Sequence, residues 1–332
     1  MPKKRVFRHA RKWVASMTAV VTAPLLVAGL GVHSPARADD LPYLAWTAYL
    51  PSWTDQYAPS SDNDCVAGRP SCLKATLKKF GRILEDNAHS CTHESVFAMT
   101  YTRITQTYAY VRDIPGYFQD VPYINHMDAV FAKYYFDAYD SYQAGNRAAV
   151  PAAWQTAFDA ARDRRMTGTG DLLLGINAHV NRDLPFVLAS MGLVRPDGQS
   201  GKPDFDKADL FLNDASDALM GELSQRFDST IDDVNDPLGL SYASVMQLLT
   251  TWREAAWRNA EALVNAPNAA ARALVAQGIE NAANAAAHTI LLTQAYTPPL
   301  TTTTARDAYC AVHKGDAAPI AYPFGTPSPY SG

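Results

Sequence analysis

The chain has 332 residues, with 29 Lys and Arg against 33 Asp and Glu; its first 38 residues hold seven of the basic residues and no acid, leaving the remainder at a formal charge of −11. Binding to nucleic acid depends largely on Lys and Arg displacing counterions from phosphates, so a chain this acidic argues against that function class, although a local basic pocket could still hold one phosphate. The 294 residues after position 38 suffice for one large core or two modest ones.

At the N-terminus, Lys3, Lys4, Arg5, Arg8, Arg11 and Lys12 precede an apolar stretch from Val14 to Val32, which ends near Ala36-Arg37-Ala38. A basic region, an apolar region and a small-x-small site read as a secretory signal over 1–38, cleaved before Asp39. The reading predicts a secreted, extracellular protein, and no later segment is long and apolar enough to predict a stable membrane span. Cys65, Cys72, Cys91 and Cys310 all follow the signal, and an even number in an oxidising compartment suggests two disulfides. Three pairings are open; Cys65 with Cys72 and Cys91 with Cys310 is favoured, because the first brackets a Gly-Arg-Pro turn and the second pins the tail to the body.

Residues 39–72 read as a loop segment rich in Ser, Pro, Asp and Asn. Beyond it the apolar spacing is helical, predicting an all-α fold of about eight helices near 73–88, 93–112, 122–144, 150–165, 171–192, 206–228, 241–265 and 267–295. Phe97, Tyr101, Ile104 and Tyr108 illustrate the three-and-four spacing, as do Val130, Tyr134, Tyr135 and Ala138. One helical domain over 73–296 and an irregular Pro/Thr-rich tail over 297–332 complete the organisation.

Polar residues interrupt this pattern most densely in Gly175-Ile176-Asn177-Ala178-His179-Val180-Asn181-Arg182-Asp183-Leu184-Pro185. On a helix, His179 and Asp183 are one turn apart, close enough to share a proton or a metal ion. They fall at the border of an apolar stripe of Leu173, Ile176, Val180, Leu184, Val187 and Met191. Pro185 removes an amide donor and crowds the carbonyl of Asn181, so a kink is expected there. A helix ion pair, with Asn177 bonding a loop, explains the motif equally well.

Glu85, His89 and His93, beside Glu94, have spacings that place two imidazoles on one face, a common arrangement for holding zinc, unless the helix breaks near Cys91. His126-Met127-Asp128 opens an aromatic helix, with Asp128 either a helix-start charge or an acid directed into the core beside His179. In Trp252-Arg253-Glu254-Ala255-Ala256-Trp257, a core tryptophan with a snorkelling arginine is the favoured reading; Arg253 could also pack on an indole, or fork to Asp183 or an anionic substrate. His288 lies among small residues and His313 in the tail.

Phe131 to Phe136 after Asp128, the Asn177-to-Pro185 run and Arg253 to Trp257 together resemble an actinobacterial and fungal family catalogued as a domain of unknown function. The likeness spans roughly residues 75–265. It implies an all-helical domain and draws attention to Asp128, Asn177, His179, Asp183, Arg253 and Trp257, without supplying an activity. By analogy, His179, Asp183 and Pro185 also resemble the outline of the helical zinc-dependent phospholipase C and single-strand nuclease superfamily. The chain departs from that superfamily in having no histidine after the proline and no tryptophan at the expected mature start.

These readings lead to an expectation of a metal-assisted hydrolase of a lipid-like or phosphoester substrate. Its catalytic candidates are Asp128, Asn177, His179, Asp183 and Arg253, and its divalent metal, zinc for example, would be held by His179, Asp183, His93 and His126. The rivals are a non-enzymatic helical module binding an apolar ligand and a metal-free isomerase or cyclase using His179 as base and Asp183 as its orienter.

Overall fold

Five of the helices begin where the sequence supplies a first-turn proline or a capping side chain. In the computed structural model, which describes residues 56–231 and 242–321, helix α1 is Pro70–His89, its proline sitting in the first turn where the missing N–H costs nothing. Helix α2 is Ser95–Val111. Helix α3, Val121–Gln143, is capped by Asp120, whose carboxylate accepts the Tyr123 amide at 3.0 Å. Helix α4 is Ala152–Arg162. Helix α5 starts behind the Thr167 cap and is continuous through α-helical Gly168–Ile176, π-helical Asn177–Asp183 and α-helical Leu184–Met191. Helix α6 is Lys202–Arg226, α7 is Tyr242–Val264, and α8, Ala269–Gln294, is capped by Asn268. Helix α9 is Thr304–His313.

The fold is all-α, with nine helices among the described residues. Extended pairing there is limited to two isolated bridges, Met166 with Ala295 and Val194 with Ser200. The ninth helix corrects the expected irregular tail. Arg306 and Cys310, one turn apart, are its buried residues, too few and too polar for the apolar spacing to reveal a helix behind the run of threonines. Both disulfides form as favoured, Cys65 with Cys72 and Cys91 with Cys310, so α9 is covalently tied to the turn between α1 and α2. The expected signal and residues 39–55 of the loop segment lie outside the described residues. Among the described residues, no helix is long and apolar enough to cross a membrane.

Helix α5 is the axis of the fold and touches α2, α3, α4, α7 and α8. Its flanks are buried on every side, so the border between an apolar stripe and a solvated face, expected from the sequence, does not exist here. Polar residues along α5 must therefore find their partners inside the protein. Pro185 also acts differently from the expected kink. With no amide to offer and a ring that would crowd the Asn181 carbonyl, it follows a widened turn in which Leu184 N–H reaches back five residues to His179 O.

Candidate functional site

The π turn presents three polar side chains in three directions. Asn177, fully buried, donates from Nδ2 to the Ala283 carbonyl at 2.9 Å and accepts from Asn181 Nδ2 at 3.0 Å, so it fastens α5 to α8. Arg182, also buried, donates to Glu280 Oε1 from Nε at 2.8 Å and from Nη2 at 2.6 Å, and its guanidinium lies 4.9 Å over Phe186. Asp183 accepts three donors: Arg182 Nη1 on Oδ1 at 2.9 Å, and Trp154 Nε1 at 2.8 Å and His179 Nδ1 at 3.1 Å on Oδ2. With Arg182 beside it and three donors around it, this buried carboxylate is both charge-compensated and fixed in orientation.

His179 is 4 % exposed and enclosed by rings. It stacks on Phe131 with centroids 3.5 Å apart and planes 4° from parallel, and Tyr101 lies 4.5 Å away. Gly175 belongs to the same arrangement, since a Cβ at this position would come within 2.2 Å of the Phe97 ring that packs there. Burial holds the imidazole below its ordinary pKa against the opposing pull of Asp183, so at neutral pH it is the uncharged base. Nδ1 carries the proton donated to Asp183, which leaves Nε2 as an acceptor, and Nε2 has no hydrogen-bond partner among the described residues.

This histidine lies on the wall of a cavity of about 340 Å³ lined by α2, α3, α5, α6 and α7, within the size range of small-molecule sites. Most of the wall is apolar, with Leu172, Ala208, Phe211, Leu219, Met220 and Met246 contributing. Several polar side chains in it are already engaged: Thr100 with the Val96 carbonyl, Tyr108 with Asn125, and Ser216 with the Leu212 carbonyl. Two others, like His179, keep an unpartnered buried atom among the described residues: Tyr101 at its hydroxyl and Asp128 at Oδ2. Burial pushes the Asp128 carboxyl up to about 7 against the weaker opposing charge of Arg112. It also pushes the Tyr101 phenol well above its usual value, reinforced by Asp128, so the hydroxyl keeps its proton.

The sequence-predicted residues therefore separate into distinct places. Asp128, His179 and Arg253 share the cavity wall, with Asp183 bonded directly behind His179. Arg253 does not fork to Asp183: it bonds Asp209 Oδ1 at 2.5 Å and the Phe205 carbonyl at 2.7 Å, over the Phe205 ring. Trp257 is buried in the core, where it packs on that same ring and bonds Glu261, while Arg253 is itself buried and does not reach out to solvent. His93 is absorbed in a different buried network, accepting from Arg306 Nη1 at 3.0 Å while its Nε2 meets Asp307 and Thr303. His126 bonds the Cys65 carbonyl at 2.8 Å and holds the N-terminal loop.

Helix α1 ends at His89, and the chain turns through Cys91 at φ 49°, so Glu85 and His89 face solvent while His93 is buried. His288 is exposed, and His313 pairs with Asp316. The expected metal ligands thus do not converge, because His93 and His126 are committed to other networks and His179 Nδ1 is committed to Asp183. Among the described residues, no group of three or more His, Cys, Asp or Glu side chains is placed to hold a metal ion.

Sequence reasoning missed Tyr101, Trp154, Arg182, Glu280 and Phe131 as parts of the site. Glu280 did leave a signal, as an isolated carboxylate in an Ala-rich helix. Tyr101 and Phe131 are indistinguishable from ordinary core aromatics at helical spacing.

A family model matches residues 73–293, a stretch that contains α5, the cavity helices and Asp183 with all its partners; its description is a family of unknown function, DUF5995. The chain belongs to that family. No curated protein and no solved structure matches it. For this DUF5995 member, function has to be argued from the cavity and its three unpartnered polar atoms.

Proposed function

We propose that this protein is a secreted enzyme that takes an apolar small molecule into the five-helix cavity and moves a proton on it, with His179 as the base and Asp183 as the group that orients it. The observation that carries this reading is the unequal use of the two His179 nitrogens: Nδ1 is fixed by a three-donor carboxylate, while Nε2 is buried, without a partner among the described residues, and on a residue of the cavity wall. An acceptor left unbonded inside a protein costs about 1–3 kcal/mol, and a chain tolerates that cost where a ligand supplies the missing partner. Asp183 defines the tautomer and stabilises the imidazolium that forms when Nε2 takes a proton. The apolar wall sets the class of molecule and keeps water from competing for the base. The two disulfides and the basic, apolar N-terminal segment favour an extracellular location.

Two measurements test this. Titration with the fluorescent apolar probe N-phenyl-1-naphthylamine is expected to give one site per chain, lost when Leu172→Trp fills the cavity. Two-bond 1H–15N spectra of histidine-labelled protein, assigned with His179→Gln, are expected to show His179 protonated on Nδ1 alone at pH 7.5. Absence of probe binding, or a proton on Nε2, overturns the reading.

A further inference from the structure

We propose that Tyr101 and Asp128 form an oxygen-binding pair that selects an uncharged apolar ketone or enone, and that His179 transfers a proton between the carbons conjugated to that carbonyl. This rests on the cavity and His179 roles argued above and adds the substrate class and the reaction.

The three polar groups cluster. The Tyr101 and His179 rings are 4.5 Å apart, His179 lies flat on Phe131, and Asp128 is one helical turn before Phe131 on α3. Asp128 is also near enough for its charge to oppose ionisation of Tyr101. Against these, the wall from α6 and α7 is nearly all apolar, and its one cation, Arg253, is already held by Asp209 and the Phe205 carbonyl. Among the described residues, no lysine lines the cavity. A carboxylate or phosphate ligand would find no uncommitted positive charge among these residues and would face Asp128, so the ligand's polar end is uncharged.

Tyr101 keeps its proton at neutral pH and offers a donor. A carboxyl held near neutrality by apolar surroundings offers a second donor in its protonated form. Two donors beside one neutral base match a carbonyl oxygen flanked by an acidic C–H. His179 Nε2 takes the proton: the C–H bond breaks, an N–H bond forms, and the electron pair shifts through the new C=C bond onto oxygen. Tyr101 and Asp128 donate to that oxygen as it becomes negative. His179 then returns the proton to the distal carbon of the conjugated system: the N–H bond breaks, a C–H bond forms, the electron pair on oxygen re-forms the C=O bond, and the C=C bond moves by one position. Atoms and electrons balance without a co-reactant.

The test compares naphthalene with 2-naphthol, whose oxygen stands for that of the enolate. Native protein is expected to bind both, 2-naphthol about tenfold more tightly, and either Tyr101→Phe or Asp128→Leu should remove most of that advantage while leaving naphthalene unchanged. Native protein is also expected to speed exchange of the α-protons of 2-tetralone into D2O, and His179→Gln to lower that rate about 10²-fold or more. Melting temperatures of all three variants identify any that fail to fold, and the remaining oxygen-site variant then decides. If naphthalene does not bind, the cavity reading itself falls. If naphthalene binds but 2-naphthol gains nothing, or its gain survives both substitutions, only the oxygen pair is overturned. Binding without α-proton exchange overturns the reaction.

Discussion

Replacing Asp183 by Asn isolates the energetic contribution of the π-turn network. Asp183 accepts from Arg182, Trp154 and His179 and donates to none of them. In either orientation, an amide in its place turns an N–H towards at least one of these donors, and it removes the negative charge beside a buried guanidinium. Breaking a buried ion pair by removing one partner costs about 3–5 kcal/mol. Arg182 keeps Glu280 through two donors, which places the expected loss at the lower end, ~3 kcal/mol. For a domain of this size that corresponds to a fall of roughly 6–12 °C in melting temperature.

Calorimetry at pH 7.5, alongside urea unfolding, measures the loss. His179→Leu is the second arm of the experiment. It removes one N–H donor to Asp183, but it also removes a buried acceptor with no partner among the described residues. The two effects are of similar size and opposite sign, so the net change is expected within ~1 kcal/mol. A loss at Asp183→Asn below ~1 kcal/mol would show that the three-donor geometry does not hold in solution. A loss at His179→Leu as large as that at Asp183→Asn would mean that Nε2 is satisfied in the free protein, and the argument for a base would fail.

The Asp128 carboxyl makes stability depend on pH. Its native pKa of about 7 lies above that of the unfolded chain, so the native state holds a proton that the unfolded state has released. Native protein should therefore lose stability relative to Asp128→Asn as pH rises from about 4 through 7, by up to ~4 kcal/mol. Arg112, Tyr101 and Tyr108 are near enough to interact with its charge and are present in both proteins, so urea unfolding at pH 5 and pH 8 reads the difference, and a gap that does not change with pH refutes it. The depressed His179 acts in the opposite direction, lowering stability as pH falls below its unfolded value near 6.5, and cancels in that comparison. The double substitution Cys91→Ser and Cys310→Ser opens a loop spanning 219 residues and should cost ~3–5 kcal/mol while exposing the chain before α9 to limited proteolysis. Unchanged melting and digestion would show that the buried network in which Arg306 Nη1 of α9 bonds both His93 Nδ1 and Asp171 Oδ2 holds α9 without the disulfide.

Local periodicity made most of the fold legible. Eight helices follow from apolar residues repeating every three or four positions, but that spacing put four of their starts near 73, 122, 171 and 267, whereas Pro70 and the caps Asp120, Thr167 and Asn268 set them at Pro70, Val121, Gly168 and Ala269. Helix α9 escaped because its two buried residues fall below what such a pattern reveals. The π turn escaped for another reason: changing the bonding from four residues to five leaves the residue types untouched, and only Pro185 hints at it. The His179–Asp183 pair was legible because both partners lie on one helix, whereas Trp154 and Glu280 come from 29 and 98 positions away.

In sequence, the buried histidines at 93, 126 and 179 look alike, each with a carboxylate a few positions away, and this similarity produced a four-ligand metal site that the fold does not assemble. What separates them is which ring nitrogens are used. His93 has partners on both nitrogens, and His126 is anchored to the loop carbonyl of Cys65, so each is accounted for by what it holds in place. At His179 the surroundings fix one nitrogen with a carboxylate that itself needs an arginine and a tryptophan, and among the described residues they provide nothing for the other. A helix ion pair alone does not require that asymmetry. A salt bridge that only fastened α5 would be as well served by a residue with no second polar atom, and Asp128 and Tyr101 would have no reason to keep unpartnered atoms on the same wall. Three such groups in one apolar cavity add their costs, so their co-location argues for a ligand that bonds them together.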